Sequence, residues 1–163
     1  MITRIEKLTE AIAAQLIERG QMMGTVESCT AGGIAFHLSH LPGSSEWFES
    51  GFVTYSNLAK MQMVGVREET LAEYGAVSEP VAAEMALGGL SQLDVAHCLS
   101  VTGIAGPGGG TADKPVGMVC FAWAKQDADV VCETRFFHGD RMAVRMQTIL
   151  HSLDGCLRRV IEG

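Results

Sequence analysis

The sequence predicts a layered α/β fold built around a mixed β-sheet. Short apolar segments that resemble strands alternate along the chain with segments of helical periodicity, which is the pattern of an α/β protein. Near the C-terminus, two apolar segments at 116–124 and 130–137 are joined by the short polar stretch 126–129, so they form an antiparallel pair. The chain has 163 residues, and we expect residues 1–163 to form a single domain.

The predicted elements follow from local periodicity and from residues that begin or end helices. Thr3 and Glu6 have the spacing of a capping box, Asn57 and Ser78 are candidate N-caps, and Gly20 suits a left-handed helix end. The predicted helices span 3–19, 30–40, a short segment from 57, 67–74, 79–93 and 141–160. The predicted strands span 24–27, 52–56, 97–102, 116–124 and 130–137.

Composition excludes several classes of protein. A formal net charge of -7 disfavours nucleic acid and anionic membranes as partners, since both attract a basic surface. No run of about 18 apolar residues predicts a membrane span, and the N-terminal segment lacks the apolar region of a secretory signal. Five cysteines without a C-x-x-C pair, and five histidines without metal-ligand spacing, predict neither disulfides nor a metal site. We therefore expect a cytoplasmic protein.

The segment 26–33 places polar residues where a strand passes into a helix, which is the usual ligand edge of an α/β sheet. Ser28 or Thr30 is either a simple N-cap or a group that works beside the N-terminus of the helix, where an oxyanion or phosphate is stabilised. Cys29 is a second candidate nucleophile, although no histidine is an evident partner. Gly33 permits close approach of a ligand or of another backbone segment.

The next strand–helix junction carries Tyr55 and Lys60, five residues apart. A serine nucleophile without a histidine needs another base, and a lysine can serve when burial or nearby positive charge lowers its pKa. The alternative is an exposed lysine beside a half-buried tyrosine. The spacing alone leaves both interpretations open.

A glycine-rich loop and two arginines are candidates for binding an anion. The loop 101–110 follows a strand, and its backbone N–H groups, including those at Gly103 and Gly106, could turn toward a phosphate. It matches neither a P-loop nor a dinucleotide fingerprint, so a plain flexible loop is the alternative. Arg141 and Arg145 lie four residues apart on one helix face and could supply local positive charge.

Taken together, these motifs resemble the C-terminal domain of the CinA family. The resemblance covers residues 5–160 and rests on the segments 27–33 (ESCTAGG), 42–45 (PGSS), 51–57 (GFVTYSN), 75–78 (GAVS), 101–109 (VTGIAGPGG) and 114–117 (KPVG). It implies a three-layer α/β/α sandwich with a mixed, mostly parallel central sheet. It also implies hydrolysis of nicotinamide mononucleotide to nicotinic acid mononucleotide and ammonia, with no cofactor and no metal.

The resemblance also assigns roles. It implies Ser28 as nucleophile with Tyr55 and Lys60 as activating partners, and it links Thr102 and Arg145 to substrate binding or catalysis. We expect Lys60 to deprotonate Ser28 directly or through Tyr55, with Arg145 helping to lower the lysine pKa. The oxyanion is expected at backbone N–H groups near residues 29–30 or Gly103.

We expect a small nucleotide as the substrate. The residues expected to bind it are Cys29, Thr30, Gly33, Thr102, Gly103, Gly106, Arg141 and Arg145. We also expect a homo-oligomer, since small domains of this class often assemble. Two other functions stay open. One is an amidase that acts on a different small amide, and the other is a non-catalytic regulatory module that binds a nucleotide.

Overall fold

The computed structural model describes residues 1–161, apart from the side chain of Val160. Its helices are α1 (Ile2–Arg19), α2 (Gly33–Ser39), α3 (Asn57–Val64), α4 (Glu68–Tyr74), α5 (Glu79–Leu93) and α6 (Arg141–Cys156). Its strands are β1 (Met23–Glu27), β2 (Phe48–Val53), β3 (His97–Gly103), β4 (Met118–Lys125) and β5 (Val131–Phe136). A 3-10 turn precedes β2, and a π-helical turn, Leu157–Ile161, follows α6.

The five strands form one mixed sheet in the order β2-β1-β3-β4-β5. Strand β1 runs parallel to both β2 and β3, whereas β4 is antiparallel to both of its neighbours. Strand β4 therefore runs opposite to the other four, and the predicted mixed, mostly parallel sheet is confirmed. Because β1, β2 and β3 are parallel, their carboxyl ends lie at one edge of the sheet.

Helices cover both faces of the sheet and give it three layers. On one face, α1 and α6 bury a large apolar cluster that includes Leu16, Leu153 and the sheet residues Leu99 and Phe121. On the other face, α5 packs on β1, β3 and β4, where Met85 lies in one apolar cluster with Val26 and Cys98 of the sheet. Burial of these apolar surfaces is the main driving force for the fold.

Close packing between α5 and α3 places the helix that carries Lys60. A side chain at Gly88 of α5 would overlap the backbone carbonyl of Val64, at the end of α3. Only glycine lets the two helices approach this closely. The position of α3 is therefore fixed both by its packing against α5 and by its connection to β2.

Several local predictions are confirmed and others are wrong. Gly20 ends α1 in the left-handed conformation, and the Ser78 hydroxyl accepts from the Val81 N–H at 3.4 Å. The capping box at Thr3 is wrong, because α1 begins at Ile2 without a side-chain cap. Asn57 is the first residue of α3 rather than its cap, since the Ser56 hydroxyl accepts from the Ala59 N–H at 3.0 Å.

Two element boundaries also differ from the prediction. The second strand spans Phe48–Val53 rather than 52–56, so Tyr55 lies in the loop after the strand. Helix α2 begins at Gly33 rather than at residue 30, which leaves 28–32 as a tight turn between β1 and α2. Among residues 1–161, no helix has both the length and the apolar character needed to cross a membrane.

Candidate active site

A cavity of about 300 Å³ opens at the sheet edge where β1, β2 and β3 end. Each strand delivers part of its wall: Ser28 follows β1, Tyr55 follows β2, and Gly103 ends β3. The cavity is lined by eight of the residues singled out from the sequence, namely Ser28, Cys29, Tyr55, Lys60, Thr102, Gly103, Gly106 and Arg141. The convergence follows from the parallel arrangement of the three strands.

The Lys60 amine lies 3.1 Å from the Ser28 hydroxyl oxygen, although the two residues are 32 positions apart in the chain. Lys60 is 1 % exposed, so its side chain is buried along nearly its whole length. This burial lowers the pKa of the Lys60 amine below its ordinary value of 10.5, because a charged ammonium is poorly solvated there. The lysine is thus biased toward the neutral form that can accept a proton.

Two backbone carbonyls orient the Lys60 amine. It donates to the Thr54 carbonyl at 2.9 Å and to the Tyr55 carbonyl at 3.3 Å. A neutral amine has two hydrogens and one lone pair, so these two bonds leave the lone pair for the Ser28 hydroxyl. The contacts around the nitrogen therefore match what a base for Ser28 requires.

Backbone hydrogen bonds of the sheet hold the two partners at this distance. The Ser28 N–H donates to the Val101 carbonyl at 3.1 Å, and the Thr54 N–H donates to the Glu27 carbonyl at 2.8 Å. These bonds extend the β1–β3 and β1–β2 ladders by one step beyond the strands. The distance between Ser28 and Lys60 is therefore set by the spacing of adjacent strands.

The Tyr55 phenol occupies a different position from the one needed to relay a proton. Its side chain lies at the cavity rim, 57 % exposed, and its hydroxyl accepts from Arg141 Nη2 at 3.0 Å. Lys60 contacts the Tyr55 carbonyl rather than its phenol. This geometry favours the direct route from Ser28 to Lys60.

Arg141 brings a positive charge to the rim of the cavity. It is the first residue of α6, whose N-cap Asp140 accepts from the Ala143 N–H at 2.8 Å. Its Nη1 donates to the Gly106 carbonyl at 2.8 Å, which ties the guanidinium to the glycine-rich loop. The bonds to Gly106 and Tyr55 together fix the guanidinium beside the opening.

Thr102 and Gly103 form the floor that β3 contributes. The Thr102 hydroxyl donates to the Ala76 carbonyl at 2.9 Å and so anchors the 75–78 loop over the cavity. A Cβ at Gly103 would lie 2.7 Å from Val119 Cγ2, so the strand pair β3–β4 requires glycine there. Gly106 has a φ of +83°, a conformation that glycine adopts without strain.

Three predicted binding residues do not line the cavity. Thr30 is fully buried, and its hydroxyl donates to Glu27 Oε1 at 2.6 Å. Gly33 faces α6, where an added Cβ would lie 2.8 Å from Ile149 Cδ1, so its glycine serves packing. Arg145 donates to the Thr30 carbonyl at 3.1 Å and thereby supports the turn after Ser28 from behind. The lowered pKa of Lys60 arises from burial rather than from Arg145.

Sequence reasoning missed Glu27, the residue before Ser28. It is 1 % exposed, and its two carboxylate oxygens accept from the Ile34 and Ala35 N–H groups at 2.7 and 3.0 Å. The first N–H groups of α2 are therefore already bonded to Glu27, which corrects the expectation that this helix end receives an oxyanion or phosphate of the substrate. Burial raises the pKa of the Glu27 carboxyl above its ordinary value, while its hydrogen bonds act in the opposite direction. An acidic residue at the end of an otherwise buried strand was the available signal.

Cys29 is disfavoured as a nucleophile. It is 5 % exposed, and burial raises the pKa of its thiol to about 12. The reactive form of cysteine is the thiolate, which is scarce at neutral pH when the pKa is this high. Cys29 therefore forms part of the cavity wall and does not act as a nucleophile.

Iodoacetamide provides a direct test of Cys29. We expect the Cys29 thiol of the folded protein to resist alkylation by iodoacetamide at pH 7.5, because it is buried and protonated. Peptide mass spectrometry should find Cys29 unmodified, while unfolding in urea should expose it to alkylation. Rapid alkylation of Cys29 in the folded protein, together with loss of activity, would contradict this assignment.

Comparison with known proteins identifies the family. The model of the CinA C-terminal domain matches residues 5–160. The chain belongs to the CinA C-terminal domain family. Within residues 1–161 of this CinA domain, no three His, Cys, Asp or Glu residues are grouped so that they could hold a metal ion.

Relatives of this CinA domain carry a specific name. Nicotinamide-nucleotide amidohydrolase PncC of Escherichia coli (strain K12) is 49 % identical over 161 residues, covering 99 % of this chain and 98 % of the relative. The protein of the same name from Pseudomonas putida is 43 % identical, covering 94 % of this chain and 96 % of the relative. The crystal structure of competence/damage inducible protein CihA from Agrobacterium tumefaciens superposes with a TM-score of 0.92 at 41 % identity, covering 95 % of this chain and 94 % of that one.

Proposed function

We propose that this protein is an amidohydrolase that converts nicotinamide mononucleotide to nicotinic acid mononucleotide and ammonia. The observation that carries the proposal is the buried Lys60 amine, 3.1 Å from the Ser28 hydroxyl, at a cavity formed by three strand ends. A serine paired with a neutral lysine is an established way to build a nucleophile without histidine. The names of the full-length relatives supply the substrate.

The first half of the reaction forms an acyl-enzyme. Lys60 takes the proton of Ser28 as the serine oxygen attacks the carboxamide carbon, which becomes tetrahedral and carries an oxyanion. The Lys60 ammonium then returns the proton to the amide nitrogen, and the C–N bond breaks to release ammonia. The Ser28 oxygen is left esterified to the nicotinate carbonyl.

The second half regenerates the enzyme by the same groups. Neutral Lys60 removes a proton from a water molecule, which attacks the ester carbonyl. The lysine then donates its proton back to the Ser28 oxygen as the ester C–O bond breaks, which releases the free acid. One residue thus serves as base and then as acid in each half, as a symmetric two-step mechanism requires.

The turn after Ser28 supplies candidate donors for the oxyanion. Among residues 1–161, neither the Cys29 nor the Thr30 N–H donates to a backbone carbonyl, whereas the Ala31 N–H donates to the Ser28 carbonyl at 3.0 Å. Backbone amides that lack an internal partner beside a nucleophile are the usual components of an oxyanion hole. We assign the oxyanion to these two amides rather than to Gly103.

The remainder of the cavity suits a nucleotide with one phosphate. Ala76 and Val77 give the cavity an apolar part of its wall that suits a pyridine ring, and Arg141 lies at the rim beside the glycine-rich loop. Lys60 acts as a neutral base in this reaction, and Arg141 supplies a fixed positive charge on the wall of the cavity. Ser28 and Arg141 lie near opposite ends of the chain and yet line the same cavity. We therefore propose that residues 1–163 act as one domain.

Ammonia release by the purified protein tests the proposal. We expect turnover of nicotinamide mononucleotide in the presence of EDTA, measured by coupled ammonia detection and by chromatography of the acid product. Faster turnover of another small amide would favour the broader amidase function. Binding of the mononucleotide without ammonia release would favour the non-catalytic regulatory module and contradict the proposal.

Removal of the Arg141 charge tests its role toward the phosphate. We expect Arg141→Ala to raise KM for nicotinamide mononucleotide by about 10-fold or more, because a charge-assisted contact to phosphate is lost. The effect on nicotinamide riboside, which lacks the phosphate, should be much smaller. Arg158→Ala is the matched control, since Arg158 pairs with Asp154 at the far end of α6. Equal losses on both substrates would contradict a phosphate contact.

A further inference from the structure

The carboxylate of Glu27 is the centre of the hydrogen bonds that shape the turn after Ser28. Its Oε1 accepts from the Thr30 hydroxyl at 2.6 Å and from the Ile34 N–H at 2.7 Å, and its Oε2 accepts from the Ala35 N–H at 3.0 Å. All three donors lie between two and seven residues beyond Ser28. One buried side chain therefore closes the turn that carries the nucleophile.

This turn needs support beyond its own backbone hydrogen bonds, because it combines strained residues with a helix start that has no side-chain cap. Helix α2 has Gly32 as its N-cap and no side-chain cap bond. Gly32 has a φ of +90°, and Ala31 has a φ of +49°, a conformation that is unfavourable for a residue with a Cβ. The Glu27 carboxylate replaces the missing cap and satisfies two of the N–H groups that a helix leaves unpaired at its start.

The main chain of Glu27 extends the same support to the base. The Glu27 carbonyl accepts from the Thr54 N–H at 2.8 Å. The carbonyls of Thr54 and of the next residue, Tyr55, in turn orient the Lys60 amine. Through its side chain and its backbone, Glu27 thus contacts both segments that meet at the Ser28–Lys60 pair. Its carboxylate lies behind the turn and does not line the cavity.

We propose that Glu27 is a positioning residue for this hydrolysis, whose buried carboxylate sets the orientation of Ser28 and of the oxyanion amides that follow it. The inference rests on the proposed function, since it concerns the same reaction. It assigns to Glu27 no contact with the substrate. A displacement of the reacting oxygen by about 1 Å is enough to lower a rate by about 100-fold.

Glu27→Gln is the informative substitution, because it keeps the shape and removes the charge. An amide has one acceptor oxygen, and its NH₂ group would face an N–H or O–H group that in the wild type donates to a carboxylate oxygen. We expect kcat for nicotinamide mononucleotide to fall by about 10- to 100-fold, with KM changed by less than about 3-fold. A purely structural role would lower thermal stability and leave kcat per folded molecule unchanged.

Glu84→Gln is a matched control elsewhere in the fold. Glu84 also accepts from a backbone N–H, that of Arg67 at 2.9 Å, and from a threonine hydroxyl, that of Thr70 at 2.7 Å. It thereby holds the start of α4, away from the cavity. We expect this variant to lose stability while its kcat stays within about 2-fold of wild type.

Thr30→Val provides a second variant for the case in which Glu27→Gln does not fold. It removes one donor to the carboxylate and keeps the side-chain shape, so we expect a fall in kcat of about 3- to 10-fold at nearly constant KM. Folding is followed by circular dichroism and rates are expressed per folded molecule. Wild-type kcat in Thr30→Val, or in a folded Glu27→Gln, would overturn the inference.

The outcomes also separate this inference from the proposed function. If wild-type protein releases no ammonia from nicotinamide mononucleotide, the proposed function fails. If wild type is active and Glu27→Gln matches Glu84→Gln in kcat, only the positioning role fails. A fall in kcat confined to Glu27→Gln and Thr30→Val supports both.

Discussion

Ser28→Ala is expected to lower ammonia release from nicotinamide mononucleotide by about a thousandfold or more, because it removes the atom that forms the acyl-enzyme. The loss should appear in kcat, while the mononucleotide still binds. Ser28 is 7 % exposed, and its hydroxyl contacts Lys60, so the substitution removes few packing contacts. The melting temperature should therefore stay close to that of wild type.

The measurement is steady-state ammonia release at pH 7.5, with substrate binding followed by calorimetry. Ser39→Ala, at the exposed end of α2, is the control for loss of a serine hydroxyl in the same region, and its activity should equal that of wild type. If Ser28→Ala retains more than about a tenth of wild-type kcat, the nucleophile has been misassigned, because loss of a covalent nucleophile costs orders of magnitude.

Lys60→Arg is expected to reduce kcat to a similar degree, although it preserves the positive charge. A guanidinium stays protonated at any working pH and cannot accept the Ser28 proton. Lys60→Met keeps an unbranched side chain without any base and should be equally inactive. If Lys60 served only as a cation, the arginine variant would retain most of its activity and the methionine variant would not.

The same assignment fixes the direction of the pH dependence. Burial lowers the pKa of Lys60 from its ordinary 10.5, and the neutral form is the active one, so kcat/KM of wild type should rise with pH as the lysine loses its proton. A kcat/KM that falls as the pH rises from 6 to 9 would contradict a neutral lysine base. Lys7→Arg, on the exposed side of α1, should leave the profile unchanged.

The strands β3 and β4 could be recognised from sequence because their apolar runs are bounded by turns, and β1 and β5 because short segments with β-branched or aromatic residues stand between turn or helix signals. Strand β2 was placed four residues too late, since Glu49, Ser50 and Gly51 are poor strand formers and the strand lies at the edge of the sheet. Gly51 is there for a tertiary reason: a Cβ would lie 2.6 Å from Thr25 Oγ1 on β1. Such a contact has no local signature in the sequence.

The candidate site could be predicted in its main parts because β1, β2, β3 and β5 run in the same direction, so the residues that follow these strands lie at one edge of the sheet. Ser28, Lys60 and Arg141 accordingly reach one cavity. Thr30 and Gly33 do not line the cavity, because Thr30 in the turn 28–32 bonds to Glu27 and Gly33 at the start of α2 packs against Ile149 of α6. An acidic residue at the end of β1 marks Glu27 as unusual, but its role could not be assigned from sequence, because the directions of its partners, two backbone amides and the Thr30 hydroxyl, depend on the folded turn.

The position of β2 has a consequence for how the enzyme loses function under stress. Strand β1, which delivers Ser28, is flanked on both sides, whereas β2, which leads to Lys60, has a neighbour on one side only. Outermost strands open more readily than central ones, and such opening exposes amides to exchange before the whole molecule melts. Local opening of β2 would separate Lys60 from Ser28 while most of the sheet stays folded. Activity should therefore be lost at a lower urea concentration than the one at which circular dichroism reports global unfolding.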